Sequence, residues 1–146
     1  TGFNKNLKKY KIKGKSIFDV WKMTLDEAID FFEDIDKSIT KVCITASEIM
    51  LGHLQIGQAT ATLSGGENIR IKIMKASKST AKVIGVDEPF KGLSNIEIDA
   101  VANYLNRIRE KGKTLIVIDH STGVEDYSQW IQIENIDNRL IGKQFK

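Results

Sequence analysis

Val83-Ile84-Gly85-Val86-Asp87-Glu88 is the stretch that decides the fold. Its short apolar run, bounded by polar residues, has the length and β-branched character of a buried strand. It ends in two adjacent acids. Two carboxylates at the C-terminal end of a buried parallel strand are costly unless they meet a cation or a polar ligand. In nucleoside triphosphatases this arrangement divides the work. The first acid holds Mg²⁺, usually through its waters, and the second polarises the water that attacks the γ-phosphate. Asp87 is therefore the candidate metal-site residue and Glu88 the candidate catalytic base.

Leu63-Ser64-Gly65-Gly66-Glu67 opens a helix that extends to about Lys78, and Ser64 stands 24 residues before Glu88. Ser64 has the N-cap position and Glu67 the N3 position of a capping box. Two glycines let phosphate oxygens approach the unpaired N–H groups of a helix start, and the helix dipole favours the anion. An ordinary capped helix after a flexible turn has the same local sequence. Ile116-Val117-Ile118-Asp119-His120 is the third element, a second buried strand with a polar end. A histidine there can hydrogen-bond a γ-phosphate or position the attacking water. The other histidine, His53 in Gly52-His53-Leu54, has no such context and receives no role.

The rest of the chain fits around these elements. Strands at 82–87, 114–119, 130–134 and 139–142, with a helix at 96–110 and a short one near Val124, alternate as in a parallel α/β sheet. The single proline, Pro89, lies just past the first strand, where it removes no ladder hydrogen bond. Before residue 52 the pattern is helical. Ile17, Val20 and Trp21 share a face, and Thr24 with Glu27 makes a capping box ahead of Ala28, Ile29, Phe31 and Phe32. From about Lys37, Ile39, Val42, Cys43, Ala46, Ile49 and Met50 recur at three-four spacing, which makes Cys43 a core residue.

Composition sets the outer bounds. The 146 residues are 41% hydrophobic and 28% charged, a globular balance. No apolar run approaches the roughly 18 residues that a membrane helix needs. One cysteine leaves no internal disulfide framework and no multi-cysteine zinc site within the chain, and a reducing cytoplasm suits it. The start, Thr1-Gly2-Phe3-Asn4, has the look of a segment of a longer protein. Six lysines (Lys5, Lys8, Lys9, Lys11, Lys13 and Lys15) precede the first acid, Asp19. Of these, Lys8, Lys9, Lys11 and Lys13 are candidate contacts to a nucleic-acid backbone. A solvated edge strand protected by lysines accounts for the same run.

Taken in order, the three elements resemble the ABC ATPase superfamily: an LSGGE signature, a Walker B strand with its catalytic glutamate, and a switch histidine at His120. Gly92-Leu93-Ser94 stands at the D-loop position. The resemblance implies that Ser64, Gly65, Gly66, Glu67 and Ser94 bind nucleotide, that Asp87 holds Mg²⁺ through water, and that Glu88 and His120 are catalytic. Gly14 to Val20, Met23 to Phe32, and Leu54-Gln55-Ile56-Gly57-Gln58 leading into the signature are similar to the C-terminal half of the UvrA family, the damage-recognition proteins of bacterial excinucleases. That similarity runs from about Lys11 to Glu134. Phe90, Ser94, Asn68-Ile69 and Ala59 depart from the family's usual residues, and they put full-rate hydrolysis in question.

Gly14-Lys15-Ser16 is not a phosphate-binding Walker A loop, because GxxxxGK[ST] requires glycine where Lys9 stands. The expected fold is therefore α/β: a helical signature-motif subdomain followed by part of an ABC-type P-loop ATPase parallel sheet, with the Walker A strand missing. The expected divisions are a basic lead-in (1–15) after an upstream zinc-type insertion, a helical signature subdomain (16–80) and a partial ATP-binding subdomain (81–146). The missing strand would lie between 114–119 and 130–134 as the resemblance implies, so that edge is expected to be bridged locally or paired in a dimer. The resemblance further implies ATP and Mg²⁺ in the parent protein, zinc only in the upstream insertion, and double-stranded DNA as a partner. It also implies pairing with the protein's other nucleotide-binding half, a parent homodimer, and the excinuclease B protein as a partner. The expected function is coupling of ATP binding and hydrolysis to damage recognition in nucleotide excision repair. A UvrA-like paralogue in drug self-resistance and a non-catalytic ABC-type binding module are the alternatives.

Overall fold

The computed structural model describes residues 4–120, 130–136 and 139–145, the last two stretches by their backbone. The expected short helix near Val124 lies outside the described residues. The lysine-rich start forms a 3-10 turn, Lys5–Lys9, then two short antiparallel strands, β1 (Lys11–Ile12) and β2 (Lys15–Ser16). An edge strand was one expectation for this run. The turn replaces most of it because Asn4 accepts the Asn6 N–H at 3.0 Å and starts a tight helical turn.

Local capping starts each of the next three helices. α1 (Ile17–Lys22) begins where Asp19 Oδ2 accepts both the N–H and the hydroxyl of Ser16, at 2.8 and 2.7 Å. α2 (Leu25–Phe32) carries the expected Thr24–Glu27 box, closed at 2.9 and 3.1 Å. α3 (Lys37–Glu48) is capped by Asp36, which accepts from the Ser38 and Ile39 N–H groups. Cys43 is buried on α3 as its spacing predicts, and burial pushes its thiol pKa up.

The connection after α3 is strapped back onto the α1–α2 turn. Leu25 N–H donates to Leu54 O at 2.8 Å, Ile56 N–H to Met23 O at 2.9 Å, and Gly57 N–H to Trp21 O at 2.8 Å. Glycine is required at two points of the strap. A Cβ on Gly57 would fall inside the Trp21 indole, and one on Gly52 inside the Asp26 carboxylate. The strap therefore lies flush on the first helices and delivers the chain to a 3-10 turn (Thr60–Thr62) and α4 (Gly65–Ser77).

β3 (Val83–Asp87) and β4 (Thr114–Ile118) pair in parallel, joined by α5 (Asn95–Glu110). Their register aligns Ile84 with Leu115 and Val86 with Val117. That face packs into a core that joins Ala46, Ile49, Leu51, Leu54 and Ile73 to Val101, Leu105 and Ile108 of α5. The opposite face is not buried: Val83, Ile116 and Ile118 are 58%, 56% and 58% exposed. The sequence reads these strands as buried throughout, and half of that expectation fails. Parallel strands are normally covered on both faces, and among the described residues nothing covers this one. β5 (Trp130–Ile136) and β6 (Arg139–Phe145) form a separate antiparallel hairpin, longer than the expected strands. The expected local bridging of the β4 edge does not occur: among the described residues no strand but β3 pairs with β4. β5 finds its hydrogen bonds in β6, which follows it closely in sequence and so pairs with it at small cost in chain entropy.

Candidate functional site

The parallel register sets the first half of the site. Asp87 aligns with Ile118, so Asp87-Glu88 and Asp119-His120 leave the same end of adjacent strands. Glu88 N–H donates to Ile118 O at 2.7 Å, which continues the pairing one residue past β3. Glu88 does so at φ 48°, in the left-handed region that a non-glycine residue rarely occupies. Asp119 Oδ2 accepts the Phe90 N–H at 3.0 Å, and this fixes the turn after the acids. Phe90, one of the departures from the family pattern, is buried at 4% exposure. Its ring joins the core, so the change anchors the loop through apolar packing.

The three polar ends differ in their engagement. Among the described residues, Asp87 and His120 make no hydrogen bond or ion pair. Glu88 is already engaged, with Oε2 at 2.6 Å from Lys91 Nζ. The hydrogen bond to Glu88, and then its charge, raise the Lys91 pKa, with Asp87 and Asp119 adding smaller contributions. Lys91 thus occupies one oxygen of the Glu88 carboxylate.

The second half of the site is the start of α4. Ser64 N–H donates to Glu67 Oε2 at 2.7 Å, and Ser64 Oγ accepts the Glu67 N–H at 3.2 Å, as the sequence predicts. Glu67 Oε1 lies 2.8 Å from His53 Nε2, a contact that spacing does not reveal. The strap creates it by folding residue 53 back over residue 67. Ser94 heads α5 in a similar way, with its N–H and hydroxyl both donating to Glu97 Oε2 at 2.8 and 2.7 Å. The two halves touch at Gly66, where a Cβ would stand 2.8 Å from Lys91 O. Gly65 faces open space.

The lysines divide. Lys8 Nζ lies 5.7 Å from the Phe18 ring centroid and Lys9 Nζ 5.2 Å from that of Tyr10. Lys11 is exposed on β1. Lys13 turns away, donating to Phe31 O at 3.2 Å and meeting Asp34 at 3.5 Å.

The capping carboxylates carry a testable pH dependence. Hydrogen bonds from Ser16, Ser38, Ser64 and Ser94 hold Asp19, Asp36, Glu67 and Glu97 below their ordinary pKa values, and His53 helps at Glu67. A depressed folded-state pKa contributes stability above the unfolded value, which is lost as pH falls through the folded one. Thermal stability is expected to fall as the pH drops below about 4, under the unfolded carboxyl values. Circular dichroism melts from pH 7 to 3 check this, and Glu67→Gln should flatten the acid limb. A limb equally steep in that variant would remove Glu67 from the account.

A glycine-bearing capped helix start, an acid pair ending one parallel strand and a histidine ending the next stand in the order of the ABC-type pattern that the sequence resembles. No family model matches the chain. Individual proteins do. Over 132 residues, 88% of this chain, it is 38% identical to UvrABC system protein A of Rickettsia bellii and 35% identical to that of Thermus thermophilus. The structure of UvrA2 from Deinococcus radiodurans superposes with a TM-score of 0.82 at 30% identity, covering 97% of this chain and 18% of that one. A structure of an SMC ATPase shares the fold, with a TM-score of 0.51 at 15% identity over 63% of this chain and 62% of that one. Over the matched residues the chain is similar to UvrA proteins in both sequence and structure. It spans 14% of the length of the curated relatives it matches.

Proposed function

We propose that this chain is the signature and Walker B part of a UvrA-like DNA-binding ATPase that works in nucleotide excision repair, in the cytoplasm. In this reading Ser64, Gly65, Gly66, Glu67 and Ser94 bind a nucleotide whose Walker A loop belongs to the protein's other half. Asp87, Glu88 and His120 serve a Walker A loop of their own half. The divisions at 1–15, 16–80 and 81–146 follow the same reading, with zinc confined to an insertion before residue 1. The protein would pair as a homodimer and act with double-stranded DNA and the excinuclease B protein.

The observation that carries this reading is the register of β3 on β4, which gathers Asp87, Glu88, Asp119 and His120 at one end. The residues suit Mg²⁺ in one respect. Asp87 is exposed and unengaged among the described residues, and no cluster of three or more metal-ligating side chains forms there. A single carboxylate fits an ion that keeps its waters and takes further oxygens from phosphates. When bound, Mg²⁺ would neutralise charge on the transferred phosphoryl group. Glu88, freed from Lys91, would accept the proton of the attacking water, and His120 would hydrogen-bond the γ-phosphate. Among the described residues no helix is long and apolar enough to cross a membrane.

Fluorescence anisotropy with duplex DNA tests the nucleic-acid part. In this reading Lys8, Lys9 and Lys11 supply backbone contacts without base readout, and Lys13 adds one when it leaves Asp34. Binding by this chain is expected to be weak, with log K falling against log salt at a slope of about −3 for three or four phosphate contacts. Lys11→Ala should reduce that slope by about 1. Tight binding insensitive to salt would contradict the assignment.

A further inference from the structure

His53 belongs to no motif, yet its ring reaches the signature helix. Its Nε2 stands 2.8 Å from Glu67 Oε1, across 14 residues of chain. An ionised carboxylate only accepts, so Nε2 carries the proton and donates. The backbone that carries this ring is fixed on both sides. Gly52 O accepts the Asp26 N–H at 3.0 Å, and Leu54 O accepts the Leu25 N–H at 2.8 Å. Leu51 and Leu54 are buried at 0% and 5% exposure, and Gly52 lies too close to Asp26 for any side chain. His53 alone in this stretch is exposed. An exposed donor on an anchored backbone is a fixed point from which a neighbouring group can be held.

The signature box differs from the others in this respect. The boxes at Ser16, Thr24 and Ser94 close on Asp19, Glu27 and Glu97. Among the described residues, none of those three carboxylates has a hydrogen-bond partner beyond its own cap. Glu67 has both oxygens engaged, Oε2 by the Ser64 N–H at 2.7 Å and Oε1 by His53. Ser64 Oγ in turn accepts the Glu67 N–H at 3.2 Å. A helix start has four N–H groups without an intrahelical partner, and the box satisfies the first and the last. The donors left over are those of Gly65 and Gly66, and Gly65 faces open space. These are the groups that a phosphate would meet at a helix N-terminus. A Glu67 carboxylate loose beside them would repel that phosphate, charge against charge.

We propose that His53 is a positioning residue for the signature helix: its Nε2–H holds the second Glu67 oxygen, which keeps that carboxylate in the Ser64 cap and leaves the Gly65 and Gly66 N–H groups clear for a nucleotide phosphate. His53 touches no substrate itself and acts through Glu67. Glutamine at this position retains an N–H donor on a side chain of similar reach, whereas alanine retains none. The effect on nucleotide rests on the ATPase reading above, but the hold on the cap stands on the geometry alone.

The test uses the full-length protein with His53→Ala, His53→Gln, Glu67→Ala and the double variant His53→Ala/Glu67→Ala. Hydrogen exchange by mass spectrometry follows a peptide covering residues 63–68. Equilibrium binding of a labelled nucleotide, kcat and KM are measured in parallel. His53→Ala is expected to speed exchange in that peptide and to weaken nucleotide binding roughly 3- to 10-fold, the scale of one exposed hydrogen bond. KM should rise with the dissociation constant while kcat changes less, because the acids that end β3 are untouched. His53→Gln should recover most of both effects. In the Glu67→Ala background, His53→Ala should add nothing, since the two residues act as one pair. Wild-type exchange and affinity in His53→Ala would overturn the proposal, and so would a full further loss of affinity in the double variant. Absence of nucleotide binding by the wild-type protein would instead reject the ATPase reading. Exchange at 63–68 would then still decide the hold on the cap, upheld if His53→Ala speeds it and overturned if it does not.

Discussion

Replacing Glu88 by glutamine in the full-length protein is expected to lower ATP turnover at this site by about 10²–10⁴-fold, the usual contribution of a general base. That range corresponds to roughly 2.7–5.5 kcal/mol of transition-state stabilisation. The amide keeps the shape of the side chain and its place at the end of β3. The backbone bond to Ile118 O does not involve the side chain and should survive. What is lost is the capacity to take a proton from water, together with the ion pair to Lys91. Nucleotide binding should persist, since no part of this assignment gives Glu88 a role in affinity. Steady-state turnover beside equilibrium binding of a labelled nucleotide separates the two effects. Wild-type turnover in the variant would remove Glu88 from the role of base.

The second large effect is expected at Gly66. A methyl group there would stand 2.8 Å from Lys91 O, closer than real side chains come to a backbone carbonyl, and 3.2 Å from Arg70 Nη1. A carbonyl in the turn held by Asp119 cannot yield cheaply. Gly66→Ala should therefore cost about 1–3 kcal/mol, in the range of an overpacked contact. Helix propensity pulls the other way by up to about 1 kcal/mol, because alanine is the better helix former. Gly65→Ala isolates that opposing effect, since nothing lies within 4 Å of its added Cβ. The expected result is a lowered Tm for Gly66→Ala and an unchanged or slightly raised one for Gly65→Ala. Equal melting of the two variants would show that the contact between α4 and the loop after Glu88 is not a constraint.

Local chemistry was the legible part of this chain. The Thr24–Glu27 and Ser64–Glu67 boxes can be read because a cap and its N3 partner are three residues apart. The parallel pairing of β3 and β4 follows from two short apolar runs separated by one amphipathic helix. The cap at Ser94 obeys the same rule and was within reach: Ser94 and Glu97 have the capping-box spacing, which places the helix start at Asn95. What local spacing cannot reach is created by the strap. His53 meets Glu67 only because residues 52–58 fold back onto residues 21–26. Arg70 likewise occupies a helix position that pattern alone leaves exposed, yet it is buried. Lys91 lies three residues past Glu88, so charge pairing could have suggested their contact. The solvent-facing side of Val83, Ile116 and Ile118 was beyond the sequence for a different reason. An apolar strand reads as buried whether or not its covering layer is part of the same chain.

The central claim is that this chain holds parts of two nucleotide sites and the whole of neither, because no GxxxxGK[ST] loop lies within its 146 residues. Isothermal titration of the purified chain with Mg-ATP tests it most directly, first alone and then with a polypeptide carrying the Walker A loop of a UvrA-family relative. The account predicts no better than millimolar affinity for the chain alone and tighter binding once that loop is supplied. Micromolar binding of Mg-ATP by the chain alone would contradict it.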